Sequence, residues 1–308
     1  MTRTSAAGKI ILFGEHAVVY GRPALAVPVT QVHVDVEVSD GNRPGIWINA
    51  PDIHVYAELN TLPSDHPIAA VIHNFLFLWR VSPFPNLEIK ITSTIPVASG
   101  LGSGAAVTVA LVRALAAHLK HPMTDDEINT FAYEIEKLHH GTPSGIDNTV
   151  ITYAKPVYFI KGQSMETFRA GQPFVIIIGD TGLAAPTKES VADVRQLWMQ
   201  DKTRWEAVFD KIGEISFNAR RAIEAGKSEL LGGLMNENHV LLQELTVSSP
   251  ELDRLVRTAR DAGAAGAKLS GGGRGGNMIA FVEADAADSV SSALKEAGAR
   301  ITIITKVS

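Results

Sequence analysis

The sequence predicts a two-domain protein of mixed α+β class, and three observations predict it. The chain has 308 residues, long enough for two cores. Its first half interleaves strand-like and helix-like segments, whereas helical patterns dominate the second half and apolar strands close it. Two short connections, Lys161-Gly-Gln-Ser164 and Gly171-Gln-Pro173, separate the halves and place the change of domain near residues 160–172. The expected division is 1–165 and 166–308.

Each element has its own signal. Lys9–Phe13 is a short apolar run stopped by Gly14, as a buried strand should be. Val32–Val38 alternates valine with polar residues, and Leu87–Ile91 repeats the alternation, so both read as half-buried strands. The stretch from Gly104 to Leu119 is apolar nearly all round, without proline or a further glycine, and reads as a buried helix. Thr124-Asp-Asp-Glu127 is a capping box, and Ile128, Phe131, Ala132, Ile135 and Leu138 follow it at helical spacing until Gly141, Pro143 and Gly145. Thr149–Tyr153 is β-prone. In the second half, Phe174–Ile178 reads as a strand. Lys188 to about Leu245 is helical, with Trp205, Val208, Phe209, Ile212 and Phe217 as its apolar positions. Pro250 opens another helix, where its missing N–H is tolerated. Met278–Val282, a helix and Arg300–Thr305 end the chain.

Composition excludes several classes. The net charge is -5, with no basic stripe to suggest a nucleic-acid partner. The absence of cysteine removes disulfides, thiolate zinc sites and a cysteine nucleophile. The start of the chain lacks the apolar core of a signal peptide, and no run of about 20 apolar residues could span a membrane. A cytoplasmic location is expected.

Four segments carry chemistry. Pro96-Val-Ala-Ser-Gly-Leu-Gly-Ser-Gly-Ala-Ala106 places glycines between a strand and a helix. There the backbone can approach a ligand closely and helix N–H groups meet an anion, although a tight turn into a buried helix would look the same. Lys268-Leu-Ser-Gly-Gly-Gly-Arg-Gly-Gly276 is a second glycine cluster, with Arg274 available to a polyanion unless the segment is a flexible surface loop. Glu136-Lys-Leu-His-His-Gly-Thr-Pro-Ser-Gly-Ile-Asp-Asn148 holds two carboxylates. Asp147, in a rigid turn, can accept a proton or hold a metal, or can serve as an Asx turn or helix cap. Glu136 alone reads as a solvated helix face. His139 and His140 diverge on a helix and favour structural roles. Lys9-Ile-Ile-Leu-Phe-Gly-Glu-His-Ala-Val-Val-Tyr-Gly21 begins a strand at Lys9 and puts Glu15 and His16 in the following turn. A lysine beside a carboxylate polarises a hydroxyl, or simply ends a strand at the surface.

Together these segments resemble the three motifs of the GHMP kinases (galactokinase, homoserine, mevalonate and phosphomevalonate kinases), in family order over nearly the whole chain. Lys9–Gly21, His140–Asn148 and Asn236–Asp253 are similar to the mevalonate kinases in particular. The resemblance implies an N-terminal α/β domain of the ribosomal S5 domain 2-like type and a C-terminal ferredoxin-like α+β domain. It also implies ATP and Mg²⁺ as cofactors, mevalonate as the small-molecule substrate, and room for a homodimer. By motif position, Pro96, Val97, Ala98, Ser99, Gly100, Leu101, Gly102, Ser103, Gly104, Ala105 and Ala106 bind the ATP phosphates. Asp147 takes the place of the catalytic base, and Lys9 that of the lysine beside it. Glu136 takes a metal-ligand place, with Ser103 or a water as the candidate for the place the family fills with the next serine, and Glu15, His16, Thr187 and Gly272 line the substrate pocket. One departure stands out: the family's loop usually reads Gly-Leu-Gly-Ser-Ser-Ala, and here Gly104 replaces the second serine.

Overall fold

The computed structural model of the protein describes residues 1–308 apart from Ser64, Val97, Ala98, Gly141 and Thr142 and the side chains of His139 and His140. Two of the loop residues expected to bind nucleotide, Val97 and Ala98, therefore lie outside the described residues, as does Gly141. The chain forms two compact units, residues 1–8, 32–97 and 102–154, and residues 9–31, 98–101 and 155–308. Two long strands, β1 (Thr2–Phe13) and β2 (Ala24–Asp40), contribute residues to both.

The first unit adds β3 (Ile46–Ala50), β4 (Val55–Glu58), α1 (Pro67–Leu78), β5 (Leu87–Ser93), α2 (Ser103–His118), α3 (Asp125–His140) and α4 (Ile146–Tyr153). Antiparallel β2 and β5 pair from Val34 opposite Ser93 to Asp40 opposite Leu87, and β3 runs parallel to β5. The alternation seen in the sequence decides which face is covered: Val34, Val36, Val38, Ile89 and Ile91 are buried. As expected, α2 is buried nearly all round, from Ala105 to Ala116, and it packs on α1, α3 and α4. The capping box forms, with Thr124 N–H donating to Glu127 Oε2 at 2.7 Å and Glu127 N–H donating to Thr124 Oγ1 at 3.3 Å.

Several sequence expectations need correction. Lys9 does not begin a strand; β1 starts at Thr2, with its outer residues alternating between exposed and half-buried. The β-prone run at Thr149–Tyr153 is helix α4. Gly145, at φ 89°, starts this helix, Thr149 Oγ1 donates to Gly145 O at 2.6 Å, and Asn148 Nδ2 donates to Asn129 Oδ1 on α3 at 2.6 Å. Packing on α2 and α3 thus overrides a weak β preference. Leu138 is 63% exposed and Phe217 48% exposed. At 100° per residue, Leu138 turns about 80° off the stripe formed by Ile128, Ala132 and Ile135, and Phe217 turns roughly 140° off the buried stripe of its own helix.

The second unit adds β6 (Val157–Phe159), β7 (Glu166–Thr167), β8 (Phe174–Asp180), α5 (Thr187–Gln200), α6 (Lys202–Glu224), α7 (Leu231–Glu244), α8 (Pro250–Asp261), β9 (Gly266–Ser270), β10 (Asn277–Val282), α9 (Ala287–Glu296) and β11 (Ile301–Val307). The first residues of β2 pair with β6, and β6 with β7. The remaining strands form an antiparallel sheet in the order β11-β8-β10-β9, with α8 and α9 packed against it. One helical crossover follows β8 and a second, α9, precedes β11, which is the ferredoxin-like split βαβ pattern. Ser249 caps α8 and Pro250 is its first residue, as the sequence indicated. β9 meets α7 backbone to backbone: a Cβ on Gly266 would lie 2.1 Å from Gly232 O, so both positions exclude side chains.

Candidate active site

Within the second unit, β1 delivers its last residues into a buried turn. Gly14 adopts φ 95°, and a Cβ there would lie 2.5 Å from Ala24 Cα, so only glycine admits this approach. The turn buries Glu15 and His16, which are 1% and 5% exposed, and Lys9 is 4% exposed. None of the three is a surface residue. Arg22 anchors the end of the turn to α6 through Glu206 and Asp210, and Tyr20 stacks on Phe209 at 4.1 Å.

Lys268, in the middle of β9, is fully buried and pairs with the Glu15 carboxylate. Its ammonium also donates to Leu269 O at 2.7 Å. Burial pushes the Glu15 carboxyl up against the pull of Lys268, and it pushes the Lys268 ammonium down. The other Glu15 oxygen, Oε2, is buried and has no hydrogen-bond partner among the described residues.

His16 reaches the second glycine cluster, with Nε2 3.1 Å from Gly272 O. A carbonyl only accepts, so Nε2 carries the proton and Nδ1 is left as an acceptor. Burial drives this imidazole down to about 4, and the Arg274 charge pushes the same way. Thr187, the first residue of α5, sits directly against Gly272: a Cβ on that glycine would lie 2.5 Å from Thr187 Oγ1. His16, Gly272 and Thr187 are therefore brought together, and Glu15 joins them through β9. The Arg274 guanidinium pairs with Asp193 at 2.5 Å and donates to Thr246 O at 3.2 Å, and so helps hold the loop.

The buried neutral histidines make stability pH-dependent. His239 is also held down to about 4 by burial, with Leu269 N–H donating to its Nδ1 and Asp253 near its Nε2. Unfolded imidazole titrates near 6.5, so between about pH 4 and 6.5 the unfolded chain binds more protons than the native one. Stability is thus full above pH 6.5 and falls as pH drops toward 4, by up to about 3 kcal/mol for His16. Urea denaturation at pH 7, 6 and 5 should show this fall. His16→Gln, which keeps an N–H for Gly272 O, should flatten it, and an unchanged slope would contradict the assignment.

The loop at 96–106 has its own geometry. Three successive carbonyls are each held by a donor: Ser99 O accepts from Asn277 Nδ2 at 2.5 Å, Gly100 O from Lys9 Nζ at 3.1 Å, and Leu101 O from Lys9 N–H at 3.0 Å. Gly100 at φ 81° and Gly102 at φ 77° take left-handed backbone that suits glycine. A trans peptide points its N–H opposite to its C=O, so each bond also fixes the direction of the following N–H, those of Gly100, Leu101 and Gly102. Consecutive amides facing one way form an anion nest. Helix α2 then starts at Ser103 with Gly102, which has no capping side chain, as its N-cap. Gly104 is exposed, and a Cβ there would meet nothing within 4 Å.

In the first unit, Glu136 is half-buried near the end of α3 and Asp147 is half-buried in the first turn of α4, where a helix accommodates negative charge. Helices α2, α3 and α4 pack on one another, and Arg113 on α2 ties down the end of α4 by donating to Thr152 O at 2.5 Å. The described residues contain no group of three or more His, Cys, Asp or Glu able to hold a metal by themselves.

This architecture matches known proteins. The family models of the GHMP kinases N terminal domain and GHMP kinases C terminal fit residues 68–155 and 219–300. The mevalonate kinase of Pyrococcus abyssi is 36% identical over 99% of this chain and 95% of its own length. The chain belongs to the mevalonate kinase family of GHMP kinases. It is accordingly an ATP-dependent kinase acting on an alcohol group. Among solved structures, L. major mevalonate kinase in complex with R-mevalonate superposes with a TM-score of 0.87 at 30% identity, covering 100% of this chain and 96% of that one. The phosphomevalonate kinase of Streptococcus pneumoniae superposes with a TM-score of 0.84 over 99% of this chain and 100% of that one; at 18% identity, this shows the fold alone.

The sequence had not singled out Lys268 or Asn277 for a role. The available signal was a lysine within the otherwise uncharged strand Gly266–Ser270, because lysine is rarely buried without a partner.

Proposed function

We propose that this GHMP kinase transfers the γ-phosphoryl group of ATP to the C5 hydroxyl of (R)-mevalonate, giving 5-phosphomevalonate. The observation that carries this reading is the full-length match, at 30% identity, to a mevalonate kinase solved with R-mevalonate. The gathering of His16, Gly272 and Thr187 in one unit supports it. In this reading Glu15, His16, Thr187 and Gly272 line the mevalonate pocket, and Pro96–Ala106 cradles the phosphates through the amides of Gly100, Leu101 and Gly102 and the start of α2.

Phosphoryl transfer passes through a loose transition state, so positioning and charge stabilisation carry most of the acceleration. Asp147 orients the C5 hydroxyl and accepts its proton late, as the oxygen–phosphorus bond develops. Lys9 contributes positive charge while its ammonium and amide hold two loop carbonyls. Glu136 and Ser103 would hold Mg²⁺, which would supply positive charge to offset the charge developing on the transferred group. A single carboxylate such as Glu136, with Ser103 and the nucleotide phosphates, fits an ion that keeps several waters.

The remaining parts of the proposal are two functional regions, 1–165 and 166–308, a cytoplasmic location, and a homodimer. Among the described residues no helix is long and apolar enough to cross a membrane. A coupled ADP-release assay across mevalonate, phosphomevalonate, homoserine and galactose tests the substrate. Mevalonate should be preferred, and faster turnover of any of the others would overturn the assignment.

The metal assignment has its own test. Glu136→Gln should raise the Mg²⁺ concentration needed for half-maximal activity several-fold and depress turnover. Gly104→Ser should be mild or lower that requirement, because its Cβ meets open space. If Glu136→Gln leaves the Mg²⁺ titration unmoved, the metal assignment fails.

A further inference from the structure

We infer that Asn277 is a positioning residue for the nucleotide phosphates, acting through the carbonyl of Ser99. This rests on the reading of the 96–106 loop as the phosphate cradle.

Asn277 is the first residue of β10, lies opposite Asp180 on β8 and Ser270 on β9, and is 1% exposed. Its backbone is therefore fixed from both sides. The side-chain amide donates to Ser99 O, and the adjacent Gly276 makes the approach possible: a Cβ on Gly276 would lie 3.3 Å from that same oxygen. The carboxamide oxygen of Asn277 is buried with no hydrogen-bond partner among the described residues. A buried polar group left half satisfied is costly, so an apolar residue would suit this position better for folding alone. What the amide accomplishes is to hold the first of three successive carbonyls, while Lys9 holds the next two.

The consequence is specific. Without the Asn277 amide, the Ser99 carbonyl loses this donor beside a glycine, whose backbone is permissive. The Gly100 N–H is then less firmly directed, and binding weakens for phosphate but not for the nucleoside. Asn277 also continues the loop whose Gly272 carbonyl accepts from His16. One strand start thus anchors the phosphate loop and the loop that carries a proposed substrate residue.

The test is calorimetric titration of ATP and of adenosine into the wild type, Asn277→Asp and Gly100→Val, without alcohol substrate. Asn277→Asp keeps the shape and removes the donor. It should weaken ATP by about ten-fold or more, with adenosine within about two-fold. The KM for mevalonate should stay near wild type, and thermal unfolding should show a folded protein. Should Asn277→Asp not fold, Asn277→Ser, with a shorter donor, carries the same comparison and gives an intermediate loss. Equal losses for ATP and adenosine would reduce Asn277 to a structural residue and overturn the inference. Weak ATP binding in Gly100→Val alongside normal binding in Asn277→Asp would overturn the inference alone. Normal ATP binding in Gly100→Val would overturn the phosphate-loop reading and the inference with it.

Discussion

Asp147→Asn lowers kcat by about 10²–10⁴-fold, the usual cost of losing a general base, and leaves ATP affinity nearly unchanged. Asparagine keeps the shape of the side chain but neither accepts the hydroxyl proton nor carries the charge. Helix α4 keeps the Thr149 bond to Gly145 O and the Asn148 bond to Asn129 on α3 in this variant. The proposed phosphate contacts belong to other residues, Ser99–Gly102 and the start of α2, so nucleotide binding is a separate property. Steady-state kinetics with nucleotide titration on the same preparation check both halves. Retention of more than about a third of wild-type kcat would make Asp147 a helix-start residue without a chemical role, since base loss costs far more.

Lys268→Met should be the most destabilising single change at the site, by about 3–5 kcal/mol, because it strands the Glu15 carboxylate in the interior. Both partners are fully buried, and the second Glu15 oxygen already lacks a partner among the described residues. Removing the cation leaves desolvation opposed only by a backbone hydrogen bond and the weaker pull of Lys9, so the Glu15 carboxyl is raised further. A group whose native pKa is raised lends its stability below its unfolded pKa and loses it as pH climbs. The variant should therefore recover stability toward acid, opposite to the trend set by His16 and His239. The double change Glu15→Gln with Lys268→Met removes the buried charge altogether and should restore much of the loss. Guanidinium denaturation of the three proteins at pH 7 and pH 5 measures this. A single-variant cost below about 1 kcal/mol would mean that the pair is solvated.

The elements most legible in the sequence were those with strong local signals. The alternating valines of β2, the capping box of α3, the uniformly apolar α2 and the proline opening α8 all form where the residues place them. Three kinds of information were hidden. The start of β1 was missed because its outer residues lack a buried apolar stripe. The β-branched run in α4 misled because packing on α2 and α3 outweighs a propensity of this size. The partnerships of the site were the least visible, since Glu15 meets Lys268, and Ser99 meets Asn277, only once strands distant in sequence are paired. Motif spacing identified which segments matter, but it could not say that Lys9 holds two loop carbonyls or that Arg274 is tied to Asp193. Those facts belong to tertiary structure.

The most direct test of the proposed reaction is phosphorus and proton NMR of the product formed from ATP, Mg²⁺ and (R)-mevalonate. The account predicts one new phosphomonoester resonance, with coupling to the two C5 methylene protons, appearing in step with ADP. A phosphate on the tertiary C3 oxygen, which shows no such coupling, or ADP formed without any phosphorylated mevalonate, would contradict it.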